Sequence, residues 1–240
     1  MLLRSFGLLL VLLACRPGSN PVPDLTLPSV VVPPDPTGST KTYTYLALGD
    51  SYTIGTSVEE SARWGWQLPN LLRTKGVLVQ NPDILARAGW TTTDLLGALA
   101  ANPTKPRYDL VSLLIGVNNQ YQGKSLEAYQ SDLGTLLKTA IDKAGGVPQR
   151  VFMLSTHDWG VTPFAAGDDR ARIAREIDQF NARASALCAQ LCVAFIDITP
   201  ISRTAYGDVL LVASDQLHFS GKMYGLWAEQ AAGSVEKLLR

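Results

Sequence analysis

The chain is poor in the residues on which most metal and thiol chemistry depends: among 240 residues there are two histidines and three cysteines. No His or third Cys lies near Cys188 and Cys192, so that pair does not read as a zinc site. Long blocks of like charge are also missing, and twenty-one Lys and Arg balance twenty-one Asp and Glu. A phosphate backbone calls for a basic stripe, so nucleic acid is excluded as a partner. No apolar run reaches the roughly 20 residues that span a bilayer as a helix. No internal repeat recurs, and no Gly-x-Ser-x-Gly elbow occurs. What is present is a hydrophobic content of 46%, enough for one well-filled core and one domain.

The N-terminus differs from the rest. Arg4 follows Met1, an apolar stretch runs from Leu8 to Leu13, and Ala14-Cys15 closes it, the pattern of a secretory signal over residues 1–15. Leu12-Leu13-Ala14-Cys15 resembles the bacterial lipobox, which implies that Cys15 is acylated and begins the mature chain. The alternative is an ordinary signal peptide that happens to contain a cysteine. The lipobox reading implies export and a lipid anchor on a bacterial membrane, at the periplasmic face or the cell surface. Residues 16–41 hold seven of the fourteen prolines and read as an extended tether, leaving 42–240 as the domain. With Cys15 set aside, Cys188 and Cys192 form an even pair, open to a small local disulfide or to packing as apolar thiols.

Within the domain, apolar runs alternate with helical patterns, the signature of an α/β fold with a mainly parallel sheet. Strands are predicted at 42–48, within 77–84, and at 110–115, 151–155 and 192–198. Helices are predicted at 63–75, from Thr92 through Leu99, and at 126–144, 168–189 and 220–239. In open α/β sheets ligands bind beyond the carboxyl ends of the strands. The polar residues there are Gly49-Asp50-Ser51-Tyr52, Gly89-Trp90, Gly116-Val117-Asn118-Asn119 and His157-Asp158-Trp159, with Asp215-Gln216-Leu217-His218 near the end of the domain.

A serine hydroxyl needs a positioned base, and there are only two histidines to serve. Asp215 stands three residues before His218, a spacing that lets one loop present both side chains. His157 with Asp158 is the rival, less favoured because adjacent side chains point apart. Attack on a carbonyl also requires oxyanion donors, which the Ser51 amide, the Gly89 amide and the Asn118 side chain could supply. Asp50 reads as structural, bonding loop amides.

These residues resemble the four sequence blocks of the SGNH, or GDSL, hydrolase family, and the match spans essentially the whole domain. The resemblance implies Ser51 as nucleophile, Asp215 and His218 completing the triad, and Ser51, Gly89 and Asn118 as the oxyanion hole. It also implies a flavodoxin-like three-layer α/β/α sandwich around a five-stranded parallel sheet. The third block usually ends Asn-Asp, whereas this chain has Asn118-Asn119, a departure expected to alter hydrogen bonds behind the site or its substrate preference. Tyr52, Trp90, Asn119, His157 and Trp159 are candidate substrate contacts. No cofactor and no metal are required, since the triad and oxyanion hole supply the chemistry. The expected partner is a small ester or an acylated carbohydrate. The alternatives are a lysophospholipase or thioesterase, and a surface binding module that has lost the chemistry. Nothing in the sequence fixes the oligomeric state.

Overall fold

The computed structural model describes residues 41–101 and 104–240. The signal segment, Cys15 and nearly all of the tether lie outside the described residues. Five short strands form the sheet: β1 (Tyr45–Gly49), β2 (Asp83–Ala86), β3 (Leu110–Leu114), β4 (Val151–Leu154) and β5 (Ala194–Ile196). They run parallel in the order β2-β1-β3-β4-β5. The helices are α1 (Ser51–Ile54), α2 (Trp64–Thr74), α3 (Thr92–Ala101), α4 (Val117–Tyr121), α5 (Leu126–Lys143), α6 (Arg170–Gln190), α7 (Thr199–Arg203) and α8 (Gly221–Leu239).

The three central strands, β1, β3 and β4, are buried on both faces because successive side chains point to opposite sides and each side meets a helical layer, whereas the edge strands β2 and β5 are only partly covered. Tyr45, Ala47, Phe152 and Leu154 pack with Trp64 and Leu68 of α2 and with Met223 and Trp227 of α8. Leu46, Leu48, Val111 and Met153 face the other way, against Leu95 of α3, Leu133 and Leu137 of α5, and Phe180 and Ala184 of α6. The expected three-layer α/β/α sandwich with a five-stranded parallel sheet is therefore what the chain forms.

Element ends differ from the predicted ones for local reasons. The second strand begins at Asp83 rather than near Val77, because Pro82 has no amide to continue the ladder and Val79 makes only an isolated bridge to Tyr43. The fifth begins at Ala194, since Cys192 occupies a left-handed turn (φ 56°) that ends α6. Cys188 and Cys192 are not bridged: the Cys188 thiol is buried 4.0 Å from Met153 Sδ, and burial pushes it up to about 12. The short helices α1, α4 and α7, one turn or little more, directly follow β1, β3 and β5 and were too brief to show as periodic patterns.

The carboxyl ends of β1 and β3 approach closely. Gly49 pairs with Leu114, and a Cβ on Gly49 would lie 2.5 Å from the Leu114 carbonyl oxygen and 2.1 Å from Thr53 Oγ1. One contact is with backbone, which has little room to give. Gly49→Ala is therefore expected to lower stability by about 1–3 kcal/mol or more, as overpacking does, read as a reduced urea midpoint. An unchanged midpoint would show that this junction relaxes freely.

Candidate active site

The strand order makes the location of a site predictable. The connection after β1 leads to β2 on one side, whereas β3 lies on the other, so a crevice opens beyond the carboxyl ends of β1 and β3. Ser51 opens α1 directly after β1, and Asn118 lies in α4 directly after β3. The one-turn helix α1 is held at its start by Asp50, whose Oδ1 accepts from the Tyr52 amide at 3.0 Å. It is closed by Gly55 in the left-handed region (φ 68°).

Asp215 and His218 come from a tight turn before α8. The turn is fixed by an antiparallel bridge between Val212 and Phe219 and by the Ala213 amide donating to the His218 carbonyl at 2.8 Å. Asp215 Oδ2 lies 2.6 Å from His218 Nδ1, while Oδ1 accepts from the amides of Leu217 (3.0 Å) and His218 (2.9 Å). Ser57 Oγ also donates to Oδ2, at 2.6 Å. Partial burial would raise this carboxyl, but the bonds from Ser57, the Leu217 amide and His218 outweigh it and bring Asp215 to about 2. It stays ionised across the whole range in which an imidazole can act as a base. Ser57 was not foreseen; it is exposed, sits at φ 65°, and belongs to no motif.

Ser51, Asn118 and His218 line one cavity of about 120 Å³. Its remaining walls are Tyr52 and Trp159, both foreseen, together with Val117, Tyr121, Phe164 and Leu217, which were not. Trp159 is held in place by donating from Nε1 to Gln120 Oε1 at 2.7 Å, with Tyr121 edge-on to it at 5.3 Å.

Other candidates stand elsewhere. His157 is fully buried, with its ring 3.6 Å from that of Tyr52 and 5.4 Å from that of Trp227. Burial holds it well below the ordinary histidine range, so it is neutral. Asp158 turns away from it, accepting from Arg203 Nε at 2.9 Å and from the Gly160 amide at 2.9 Å. The rival pair is thus not assembled, and His157 is corrected from a substrate contact to a core ring packed behind Tyr52.

Asn119 is likewise buried away from the cavity: its Oδ1 accepts from the Thr92 amide at 3.0 Å and its Nδ2 donates to Thr92 Oγ1 at 2.7 Å. The Thr92 hydroxyl gives its own proton to Asp132 Oδ2 at 3.1 Å, so the bond from residue 119 needs a donor that a carboxylate lacks, which gives the Asn-for-Asp departure a use in joining α4 to the start of α3. Asn118 donates one N–H to the Trp90 carbonyl at 3.0 Å, and a side-chain amide has a second to offer the cavity. The Trp90 side chain packs on the core with Leu48 and Leu95 rather than lining the cavity. Gly89 is exposed at φ 81°, and among the described residues nothing beyond its chain neighbours lies within 4 Å of where a Cβ would be, so the fold favours glycine there for its backbone conformation.

Asp50, next to Ser51, is buried; its Oδ2 meets no hydrogen-bonding partner among the described residues. Burial raises it to about 7, against the weaker opposing effect of the Tyr52 amide. A carboxyl raised in the fold favours the protonated form, so stability is greatest below the unfolded value near 4 and declines as pH rises to about 7. The expected decline is on the order of a few kcal/mol. Asp50→Asn keeps a helix cap without the charge. Its urea midpoint should be flatter than that of the unsubstituted protein as pH rises from about 4 to about 7, and parallel curves over that range would contradict the burial argument.

A hydroxyl, an imidazole bonded to an ionised carboxylate, and an amide donor at the rim of one parallel sheet make up a site suited to acyl transfer. The chain belongs to the GDSL-like lipase/acylhydrolase family, which it matches over residues 47–226, and it is an ester-bond hydrolase. Its fold is similar to that of the lipase/acylhydrolase from Enterococcus faecalis (20% identity, 83% of this chain and 98% of that one, TM-score 0.65). It is also similar to TesA (20%, 82% and 99%, TM-score 0.63) and to the acetylxylan esterase Axe2 from Geobacillus stearothermophilus (15%, 80% and 94%, TM-score 0.62). No curated protein sequence matches the chain.

Proposed function

We propose that the protein hydrolyses short-chain acyl esters through Ser51, His218 and Asp215. Ser51 Oγ attacks the ester carbonyl as His218 removes its proton, and the ionised Asp215 holds the imidazole tautomer and stabilises the imidazolium. The negative oxygen is received by the amides of Ser51 and Gly89 and by the Asn118 side chain. His218 then protonates the leaving alcohol, and a water activated by the same imidazole releases the acid from Ser51.

The observation that carries this reading is that Ser51, Asn118 and His218 share one small cavity while Asp215 is bonded to His218. At about 120 Å³ the cavity falls well below the roughly 300–1,000 Å³ of sites that enclose drug-sized ligands. A cavity of this size matches a short acyl group. An O-acetylated carbohydrate is the favoured substrate, in keeping with the acetylxylan esterase among the structural neighbours.

Aryl esters of increasing acyl length test the reading. Acetyl and propionyl esters should be cleaved best, and Ser51→Ala and His218→Ala should each lower kcat/KM by at least about 10⁴-fold. His157→Phe, which keeps an aromatic ring in the core, should stay within about tenfold. A rising rate out to decanoyl esters would replace this reading with a lysophospholipase or thioesterase. Failure of a fluorophosphonate to label Ser51 would favour a binding module instead.

We propose also that Cys15 is acylated and anchors the protein to a bacterial membrane, with residues 16–41 as tether. Cys15→Ser should move the protein from the membrane fraction to the soluble one, and no change in partition would remove the anchor.

A further inference from the structure

Beyond the cavity at Ser51, separated from it by Tyr121 and Trp159, lies a second concavity of about 350 Å³ that shares both of these residues as wall. Its character is different. It is lined by Lys124, Asp168, Arg172, Glu176 and Gln179, where the Ser51 cavity has Val117, Phe164 and Leu217.

The polar groups here are pre-arranged. Trp159 Nε1 donates to Gln120 Oε1 at 2.7 Å, Gln120 Nε2 donates to Glu176 Oε2 at 2.7 Å, and Arg172 bonds the other Glu176 oxygen at 3.3 Å. One chain of hydrogen bonds thus runs from the cavity wall to the floor of the neighbouring trough, fixing Glu176 from two directions. Tyr121, 57% exposed, stands at the boundary and lines both concavities.

We propose that this trough is the subsite for the body of the substrate, and that it takes a neutral, polyhydroxylated chain, an oligosaccharide carrying the ester on one of its hydroxyls. This rests on the hydrolase reading above and sharpens its substrate class. With its acyl group in the small cavity an ester of a larger alcohol has its body outside, and the trough is the polar surface that shares the cavity's walls. An aliphatic chain laid there would strip water from two carboxylates and two cations without returning hydrogen bonds, which is unfavourable. A polyanion would gain from Lys124 and Arg172 but meet Asp168 and Glu176 as well. A neutral sugar satisfies both kinds of group, since each hydroxyl donates and accepts, and a pyranose ring can lie on the Tyr121 face.

The experiment uses partially O-acetylated cellotetraose as probe. Titrated calorimetrically into the Ser51→Ala protein, it should bind, and adding Arg172→Ala with Gln179→Ala should weaken binding by roughly tenfold, the loss expected for hydrogen bonds to a charged and a polar group. In protein that retains Ser51, the same two substitutions should raise KM for the acetylated tetrasaccharide far more than kcat falls. They should also lower its kcat/KM relative to that for p-nitrophenyl acetate. Both side chains are exposed on α6, and an unchanged urea midpoint verifies folding. Equal affinity with and without the substitutions, or an equal fall for both substrates, would overturn the subsite. If instead Ser51→Ala still hydrolyses p-nitrophenyl acetate, the nucleophile assignment fails, while the calorimetric comparison still decides the trough.

Discussion

The contact between the carboxyl ends of β1 and β3 is the constraint on which the site depends. Gly49 stands so close to the Leu114 carbonyl that no side chain fits between them. Because the strands meet there and then part, the turns that follow them bring Ser51 and Asn118 to the same cavity. Gly116, at φ 130° with Tyr129 and Thr156 against it, directs the second of these turns in the same way. Two glycines at the ends of adjacent strands thus define the spacing of groups that the sequence separates by more than sixty positions.

Around this junction, charge is distributed by depth. The carboxylate that remains ionised, Asp215, is on a partly exposed turn and gathers donors from Ser57, Leu217 and His218. The carboxyl that is buried, Asp50, has one bonded oxygen and is pushed toward neutrality. The buried imidazole, His157, has no hydrogen-bonding partner for either ring nitrogen among the described residues and is neutral as well. Solvation accounts for the division: a buried charge is tolerated only where enough donors replace water. Tyr52 lies between the two histidines, with its ring 3.6 Å from His157 and 4.7 Å from His218, so a neutral core ring backs the one at the cavity.

The surface beside the site is divided as sharply. Largely apolar walls close the small cavity at Ser51, and a polar trough begins on the far side of Tyr121 and Trp159. Gln120 joins the two, since one end of its amide accepts from Trp159 and the other donates to Glu176. An amide is suited to that position because it can do both, as Asn119 does for Thr92.

Much of this was legible in the sequence by itself. The alternation of apolar runs and helical patterns determined the α/β layering, since strand and helix periods are properties of neighbouring residues. The turns after β1 and β3 offered Ser51 and Asn118, and an i, i+3 spacing offered Asp215 with His218, all local features; each was weak alone, and their order along the chain, which resembles the GDSL blocks, singled them out. Tertiary structure alone decided the rest. Ser57 meets Asp215 across 158 positions, and nothing in either neighbourhood announces it. Whether His157 or Asn119 faced substrate or the interior depended on which helices covered the residues after β3 and β4, and the answer was burial in both cases. The trough draws on α6 and on the segment after α4, and the sheet order brings them side by side. Such pairings are set by how strands are ordered and layers stacked, and that ordering follows from burying the whole apolar surface at once rather than from any single stretch of chain.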